Sequence, residues 1–217
     1  MKLKSVLFFF TLLSVNALST GDYYVWQLQK YENGIAVYIR PIKGYDFKEV
    51  RVVNKVKSNL SGIVGLLLDT KNYPKWQYGC SGTALLKKLN DQEFYNYQVT
   101  DLPWPLSDRD VVAHFKVTQD SITKVVTFAK TGMADYIPDK DDRVRVQHFQ
   151  SITTLTPLKG DSVLIELEMH LDAGGNIPDW VVNDNLVHAP YTSTVNMVAR
   201  IPLYQKAYYY FIKEAGK

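Results

Sequence analysis

The stretch "HLDAGGNIPDWVVN", residues 170–183, joins an alternating apolar run to a helical pattern, and so decides how the two are arranged. Gly174 and Gly175 allow a tight reversal of the chain because glycine tolerates left-handed backbone conformations. Asn176 is predicted to cap the following helix, and Pro178 to lie in its first turn. The stretch therefore predicts a joint between a strand and a helix.

A glycine turn before a helix can also hold a phosphate, but this one has the wrong charge for it. Asp172, Asp179 and Asp184 lie in or beside the turn, and no Lys, Arg, Ser or Thr stands between His170 and Asn183. An anionic ligand would be repelled, whereas Asp179 complements the positive end of the helix dipole. We interpret the stretch as a mechanical joint.

The run before the joint predicts a strand with one dry face and one wet face. Apolar residues alternate with polar ones, and successive strand residues point to opposite sides. The apolar set is Val163, Ile165, Leu167, Met169 and Leu171, and the polar set is Glu166, Glu168 and His170. This alternation is typical of a curved antiparallel sheet whose concave side is covered.

The run after the joint predicts one long helix, from about residue 177 to 213. Its marker residues recur at spacings of three or four. They are Trp180, Asp184, Val187, Tyr191, Val195 and Val198. Pro190 lies inside this pattern and should kink the helix or leave a gap in its hydrogen bonds, and Pro202 could do the same again.

The rest of the chain supplies more strands and two short helices. A hairpin is predicted from Trp26–Tyr31 and Ile35–Arg40, with its turn at 32–34, and a third strand over 47–57. An amphipathic helix capped by Ser58 and a second short helical turn marked by Pro74 follow. About six strands then run from Tyr78 to about Leu171. The predicted class is α+β, a helix-grip fold in which a curved antiparallel sheet wraps around a long C-terminal helix.

A single helix is too narrow to fill the concave face of a large sheet, so we expect a cavity between them. The chain has fifteen Tyr, nine Phe and four Trp, enough aromatic side chains to fill a large core or to line such a cavity. Apolar walls would make it a pocket for a lipid or sterol.

The N-terminal twenty residues have the layout of a secretory signal. Lys2 and Lys4 precede an apolar stretch from Val6 to Val15, and small polar residues follow. That stretch is half the about 20 residues that a spanning helix needs. Cleavage after Ala17 or after Ser19 fits, with an uncleaved anchor as the alternative. We assign residues 1–19 to a signal peptide and 20–217 to one domain, and expect a periplasmic or secreted protein.

Charge and cysteine content exclude several classes of site. Without Lys2 and Lys4 the chain has 23 basic and 22 acidic residues, which argues against nucleic-acid binding. Cys80 is the only cysteine, so an intramolecular disulfide is impossible, and we expect a buried or half-buried free thiol. The four histidines are well separated and lack metal-binding spacing. We expect no metal, no cofactor and a monomer.

Four motifs in order resemble the START domain family, the lipid-transfer domains of the Bet v 1-like helix-grip superfamily. They are "WQLQKYENGIAVYIR", "LLLDTKNYPKWQ", "LPWPLSDRDVV" and "LDAGGNIPDWVVN". The resemblance spans about residues 24–213. It implies a sheet of seven to nine strands, a C-terminal lid helix and a tunnel for one apolar ligand, without catalysis in most members. Many members are cytosolic, so the signal layout puts the usual transport between organelles in doubt.

We predict a ligand-binding surface on the inner faces of the sheet and of the lid helix. Its residues are Arg109, Phe115, Val117, Ile165, Leu167, Met169, Trp180, Val187, Tyr191 and Val195. Core packing against the sheet is the alternative for the helical members. Trp76 and Trp104 could also line the pocket, although packing between helix and sheet is favoured for Trp76.

Arg109 and Asp110 form the leading polar pair, and neighbouring residues of one strand must point to opposite faces. Arg109 could bind an anionic head group, or form a salt bridge that fixes the start of the strand. We favour the salt bridge, because a buried arginine normally needs a partner, with Asp101, Glu93 or Asp69 as candidates.

The hypothesis that follows is non-catalytic binding of one apolar ligand, such as a lipid, a sterol or a fatty acid, with transfer of that ligand as an extension. Transient membrane contact is compatible with the near-neutral charge. The alternatives are an enzyme that resembles the aromatase/cyclases and uses the same cavity for acid–base chemistry, and an interaction module without a ligand. The wholly apolar face of the last strand favours binding.

Overall fold

The computed structural model describes residues 25–44, 48–175, 177 and 179–215, without the side chains of 179–184. The predicted signal peptide, the Asn176 cap and Pro178 lie outside the described residues, as does the side chain of Trp180.

The described residues form ten strands and two α-helices. The strands are β1 Gln27–Glu32, β2 Ile35–Pro41, β3 Lys48–Lys57, β4 Cys80–Lys88, β5 Glu93–Thr100, β6 Asp108–Gln119, β7 Val126–Gly132, β8 Arg143–Arg145, β9 His148–Leu158 and β10 Ser162–Asp172. The α-helices are α1 Leu60–Leu68 and α2 Asp179–Arg200, and 3-10 helices span Thr70–Lys75, Ala134–Tyr136 and Ile201–Tyr204.

The strands form one sheet in the order β1-β2-β3-β10-β9-β7-β6-β5-β4. All of these neighbours are antiparallel. The curved sheet and the C-terminal helix confirm the predicted α+β helix-grip fold. The first hairpin is also confirmed, since Asn33 and Gly34 form its turn with φ of 51° and 74°, conformations typical of tight hairpin turns.

Seven strands follow the short helices, against the about six that the sequence predicts. The run over 141–158 divides into β8 and β9, because β8 pairs in parallel with the start of β6 while β9 pairs with β7 and β10. One straight strand cannot make both sets of hydrogen bonds. The short β8 brings the described strands to ten, beyond the seven to nine that the family resemblance implies.

Helix α1 begins one residue later than predicted. Asn59, and not Ser58, is the N-cap, and its Oδ1 accepts a hydrogen bond from the Gly62 amide at 2.7 Å. The Glu214 carboxylate accepts two more, from the amides of Leu60 at 2.8 Å and Ser61 at 2.9 Å. These three bonds satisfy amides that have no partner within the helix. The Ser58 hydroxyl instead accepts from Gln205 at 2.9 Å.

Helix α2 ends well before the predicted residue 213. It stops at Arg200 and passes into the 3-10 helix that contains Pro202. Proline has no amide hydrogen and crowds the preceding turn, so α-helical bonding cannot continue through it. Pro190, by contrast, lies within the helix, where it cannot donate to the Leu186 carbonyl. Neither of the two described α-helices has the length and apolar character to cross a bilayer.

The two faces of the sheet differ, as the alternation predicts. On the convex face, Arg51 pairs with Glu166, and its Nε lies 3.5 Å from Glu168. The concave face carries the main core with α1, the 3-10 helix Thr70–Lys75 and the end of α2. Part of the convex face is also buried: Tyr97, Val99 and Val112 form a small second core with partly buried side chains that include Met133 and Ile137.

A buried ion pair lies beside this second core. Arg145 Nε is 2.7 Å from Asp110 Oδ1, and each side chain is 1% exposed. The Tyr97 hydroxyl donates to Asp110 Oδ2 at 2.8 Å. Burial alone would raise the pKa of Asp110, but the hydrogen bonds from Arg145 and Tyr97 outweigh it, so this pKa lies below its ordinary value.

Replacing the carboxylate tests how much this pair contributes. Asp110→Asn leaves the Arg145 guanidinium buried without its main counter-charge, so we expect a loss of about 3–5 kcal/mol in the free energy of unfolding. Urea denaturation at pH 7 measures it. The stability from Asp110 is present above its unfolded pKa, about 4, and disappears as the pH falls further, so the variant should lose less stability in acid.

Asp139→Asn is the control. Asp139 also faces Arg145, at 3.4 Å, but its side chain is 71% exposed, so this change should remove less than about 1 kcal/mol. Equal losses of stability in the two variants would contradict a special contribution of the Asp110–Arg145 ion pair.

Candidate functional site

A cavity of about 720 Å³ lies between the concave face of the sheet and helix α2. Its volume is within the range of about 300–1,000 Å³ that small-molecule sites occupy. The sheet side of the wall is formed by β3, β5, β6, β7, β9 and β10. Its apolar members include Val50, Val52, Val111, Ala113, Phe115, Phe149, Ile165, Leu167, Met169 and Leu171.

Five of the predicted ligand-binding residues lie on this wall: Arg109, Phe115, Ile165, Leu167 and Met169. Three of them belong to the alternating face of β10, which faces the cavity as the pattern indicates. Val117 points to the same side of β6, but it is buried in the main core and is not among the described residues that line the cavity.

Helix α2 presents a different stripe to the cavity from the predicted one. Leu186, Ala189, Pro190, Ser193 and Met197 line the wall. The predicted residues pack against β2 and β3, outside the described lining. They are Val187, Tyr191 and Val195, and their neighbours include Val37, Val50 and Val52.

Val187, Tyr191 and Val195 therefore pack against the sheet, which was the alternative to ligand binding for the helical residues. Each helical residue turns the side chain by about 100°, so moving one position along the chain changes the face. Spacing alone gives the width of an apolar stripe but does not say which part of it meets a strand and which part meets a cavity. The side chain of Trp180 lies outside the described residues, and its role stays a prediction.

Arg109 holds the joint between β10 and α2. Its Nε donates to the Ala173 carbonyl at 3.0 Å and its Nη2 to the Gly174 carbonyl at 2.9 Å, while Nη1 donates to the Ser107 carbonyl. Gly175 has a φ of +67°, and a Cβ there would lie 3.2 Å from Arg109 Nη2. The glycine is required both by its backbone conformation and by this close approach.

The salt bridge favoured for Arg109 was therefore wrong. Within the described part of the chain its partners are backbone carbonyls and none of the candidate carboxylates. Glu93 pairs with His114 at 2.9 Å, and Asp69 accepts from the Tyr204 hydroxyl at 2.8 Å. The buried ion pair belongs to Asp110, which faces the other side of the sheet. Arg109 uses three of its five N–H groups, so head-group contact stays a prediction.

Three connecting segments converge at one end of the cavity. Gly44 comes from the β2–β3 connection, Leu102 from the β5–β6 loop, and Gly175 and Ile177 from the joint. The β5–β6 loop also carries Trp104, whose side chain is 92% exposed. The suggestion that Trp104 lines the pocket or packs helix to sheet was wrong, because the tryptophan lies on a surface loop between two prolines.

Trp76 both packs in the core and lines the cavity, the two roles that the sequence left open. It packs edge-on against Tyr73, with ring centroids 4.9 Å apart, and also lies on the cavity wall. Its indole N–H is buried without an acceptor among the described residues.

Cys80 is a buried free thiol, as predicted. Burial raises its pKa to about 11, so it is protonated and weakly nucleophilic at neutral pH. Over the described residues, no cluster of His, Cys, Asp and Glu is arranged to hold a metal ion.

Lys130 also lies on the cavity wall, although it was not among the predicted site residues. Val126 and Phe128 are fully buried on the concave side, and strand alternation places Lys130 on the same face. Its Nζ lies 4.9 Å from the ring centroid of Tyr73, 5.0 Å from Phe115 and 5.6 Å from Phe128. The signal in the sequence was a charged residue in phase with the apolar residues of "VTFAK".

Burial lowers the pKa of Lys130 to about 8. An amine normally titrates near 10.4, and removal from water without a compensating anion lowers the pKa because it disfavours the charged form. The Cys80 thiol acts in the opposite direction on this pKa, without offsetting the effect of burial. Lys130 is thus the most strongly perturbed charged group on the described wall.

Comparison with known proteins agrees with this architecture. The START domain model matches residues 15–201. An uncharacterised protein of Pseudomonas aeruginosa is 32% identical over 166 residues, which are 76% of this chain and 81% of the relative. The phosphatidylcholine transfer protein of Mus musculus is 25% identical over 173 residues, 77% of this chain and 78% of the relative.

A solved structure is similar to this chain in both sequence and fold. The STAR-related lipid transfer protein from Xanthomonas axonopodis is 30% identical, with a TM-score of 0.75 over 82% of this chain and 98% of the solved chain. Together with the family match, the sheet order and the joint, these similarities establish that the chain belongs to the START domain family.

Proposed function

We propose that the chain binds one apolar ligand, of the lipid class, inside the cavity and without catalysis. The observation that carries the proposal is the cavity of about 720 Å³ with a mostly apolar described wall beneath α2. Two similar proteins, from Xanthomonas axonopodis and Mus musculus, are lipid-transfer proteins by name, which supports the same ligand class here. Transfer of the ligand is part of the proposal.

Burial of the ligand would supply the affinity. Each Å² of apolar surface removed from water contributes about 25 cal/mol, before the cost of association is subtracted. An enclosed ligand needs a moving element to enter. The segments around Gly44, Leu102 and Ile177 are the candidates, because they line one end of the cavity and belong to connections between the regular elements.

The charged groups on the described wall favour binding over acid–base catalysis. They are Lys48, Asp101, Arg109, Lys130 and Asp172. Neither a histidine nor a glutamate is among the described lining residues, and Asp101 and Asp172 lie at the loop end of the cavity. Because no histidine or carboxylate of the described wall lies beside Lys130 as a second acid or base, we keep the non-catalytic hypothesis.

Membrane contact would occur at the loop end of the cavity. Trp104 is suited to a membrane interface, where tryptophan places an apolar ring among head groups. A net charge of +1 without the signal peptide means that apolar contact rather than charge would drive binding. The signal layout of residues 1–19 further leads us to propose a periplasmic or secreted location.

Filling the cavity tests the ligand proposal. Ala189→Trp puts a large side chain into the cavity, so ligand that copurifies with the protein should fall several-fold from about one per chain. Ala199→Trp is the matched control, because Ala199 is an exposed residue of the same helix and the ligand content should not change. Organic extraction and mass spectrometry of the purified proteins measure it. A wild-type protein without ligand, or equal ligand in both variants, contradicts the proposal.

A second variant pair tests membrane contact. Trp104→Ala should weaken co-sedimentation with phosphatidylcholine vesicles by roughly tenfold, since burial of one large apolar side chain contributes about 1.5–3 kcal/mol. Added NaCl should change the binding little. Ile122→Ala is the control, because Ile122 is 87% exposed in the β6–β7 turn at the opposite end of β6. Equal binding by wild type and Trp104→Ala would argue against this loop as the contact.

A further inference from the structure

Lys130 is a cation without a counter-ion on an apolar wall. Within the described residues no carboxylate lies within ion-pair distance of its Nζ, which lies over the rings of Tyr73, Phe115 and Phe128. Ring faces attract a cation, but more weakly than a carboxylate does in the same surroundings. Lys130 is half-buried, and holding an ammonium among apolar groups weakens the fold unless something else interacts with it.

A neighbouring group also lacks an accepting partner. The Trp76 indole, which packs against Tyr73, has an N–H without an acceptor among the described residues. Ser151 is the register neighbour of Lys130 on β9 and lines the cavity, so its hydroxyl adds a donor on the same face. Besides the Lys130 ammonium, the Trp76 indole N–H and the Ser151 hydroxyl are therefore donors on the cavity wall.

The position of Lys130 places this charge inside the cavity. Lys130 pairs in register with Ser151, which pairs with Met169. Asp172, at the loop end of β10, comes three residues after Met169, so about 10 Å of strand separates Asp172 from the level of Lys130. A ligand group that meets Lys130 would therefore be enclosed, away from the carboxylates at the loop end.

We propose that Lys130 is the head-group site of the cavity and that the ligand is an apolar monocarboxylate, such as a long-chain fatty acid, whose carboxylate pairs with the Lys130 ammonium. This inference rests on the proposed function, because it assumes that an apolar molecule occupies the cavity. One amine and one hydroxyl match the two oxygens of a carboxylate, which is smaller than the head group of a phospholipid.

The test compares two probes that differ only in the head group, dodecanoate and dodecan-1-ol, by equilibrium dialysis against the delipidated full chain at pH 7. The wild type should bind dodecanoate about thirty-fold more tightly or better, as expected when a buried charge gains its partner. Lys130→Met should lose this preference and still bind dodecan-1-ol. It should fold at least as stably as the wild type, since it removes a half-buried charge that has no ion pair.

Lys116→Met is the matched control. Lys116 follows Phe115 on β6 and is exposed on the opposite face of the sheet, so the same change of charge there should leave the preference intact. Binding of dodecan-1-ol without any preference for dodecanoate, or a preference that survives in Lys130→Met, would overturn the inference and leave the proposed function standing. Failure of the wild type to bind either probe would overturn both.

The wild type alone gives a second readout, which does not depend on the folding of a variant. Because the pKa of Lys130 is about 8, affinity for dodecanoate should fall as the pH rises above 8, while affinity for dodecan-1-ol stays constant. The titratable groups that face Lys130 are the Tyr73 phenol and the Cys80 thiol, and burial raises the pKa of both, so neither ionises near pH 8. Parallel pH profiles for the two probes would contradict the inference.

Discussion

One helix cannot cover the concave face of a sheet this wide. Neighbouring strands lie about 4.8 Å apart and a helix with its side chains is about 10–12 Å across, so α2 spans only a few strands. Its own packing is against β2 and β3, through Val187, Tyr191 and Val195. The end of the helix and α1 fill one region of the concave face. The remaining space is the cavity of about 720 Å³, a direct consequence of the architecture.

Three charged side chains of the sheet make different contacts. Arg109 binds the carbonyls of the joint and thereby holds the start of α2 over the sheet. Asp110, the next residue, faces the convex side and neutralises Arg145. Lys130 lies on the cavity wall with no carboxylate within ion-pair distance among the described residues, and its ammonium contacts aromatic rings. Arg109 and Asp110 stabilise the fold, whereas Lys130 is available to a ligand in the cavity.

The sequence predicts the fold well because its signals are periodic and local. The alternation in β10 and the glycine joint correctly indicate which face is dry and where the chain reverses. Errors arise where the answer depends on three-dimensional contacts: the rotation of α2, the backbone partners of Arg109 and the extra strand β8 are set by distant segments. Lys130 was detectable as a charge in phase with Val126 and Phe128. It was missed because periodicity was used only to find the apolar residues.

Photolabelling with a single-chain lipid that carries a diazirine in its tail tests whether the ligand lies inside the cavity, because the label marks the residues that the ligand contacts. After irradiation of the purified full chain, peptide mass spectrometry should place the label on the cavity wall, at residues such as Met169 and Leu171 of β10 and Met197 of α2. Label confined to exposed positions such as Ile122 and Leu203 would contradict an internal ligand.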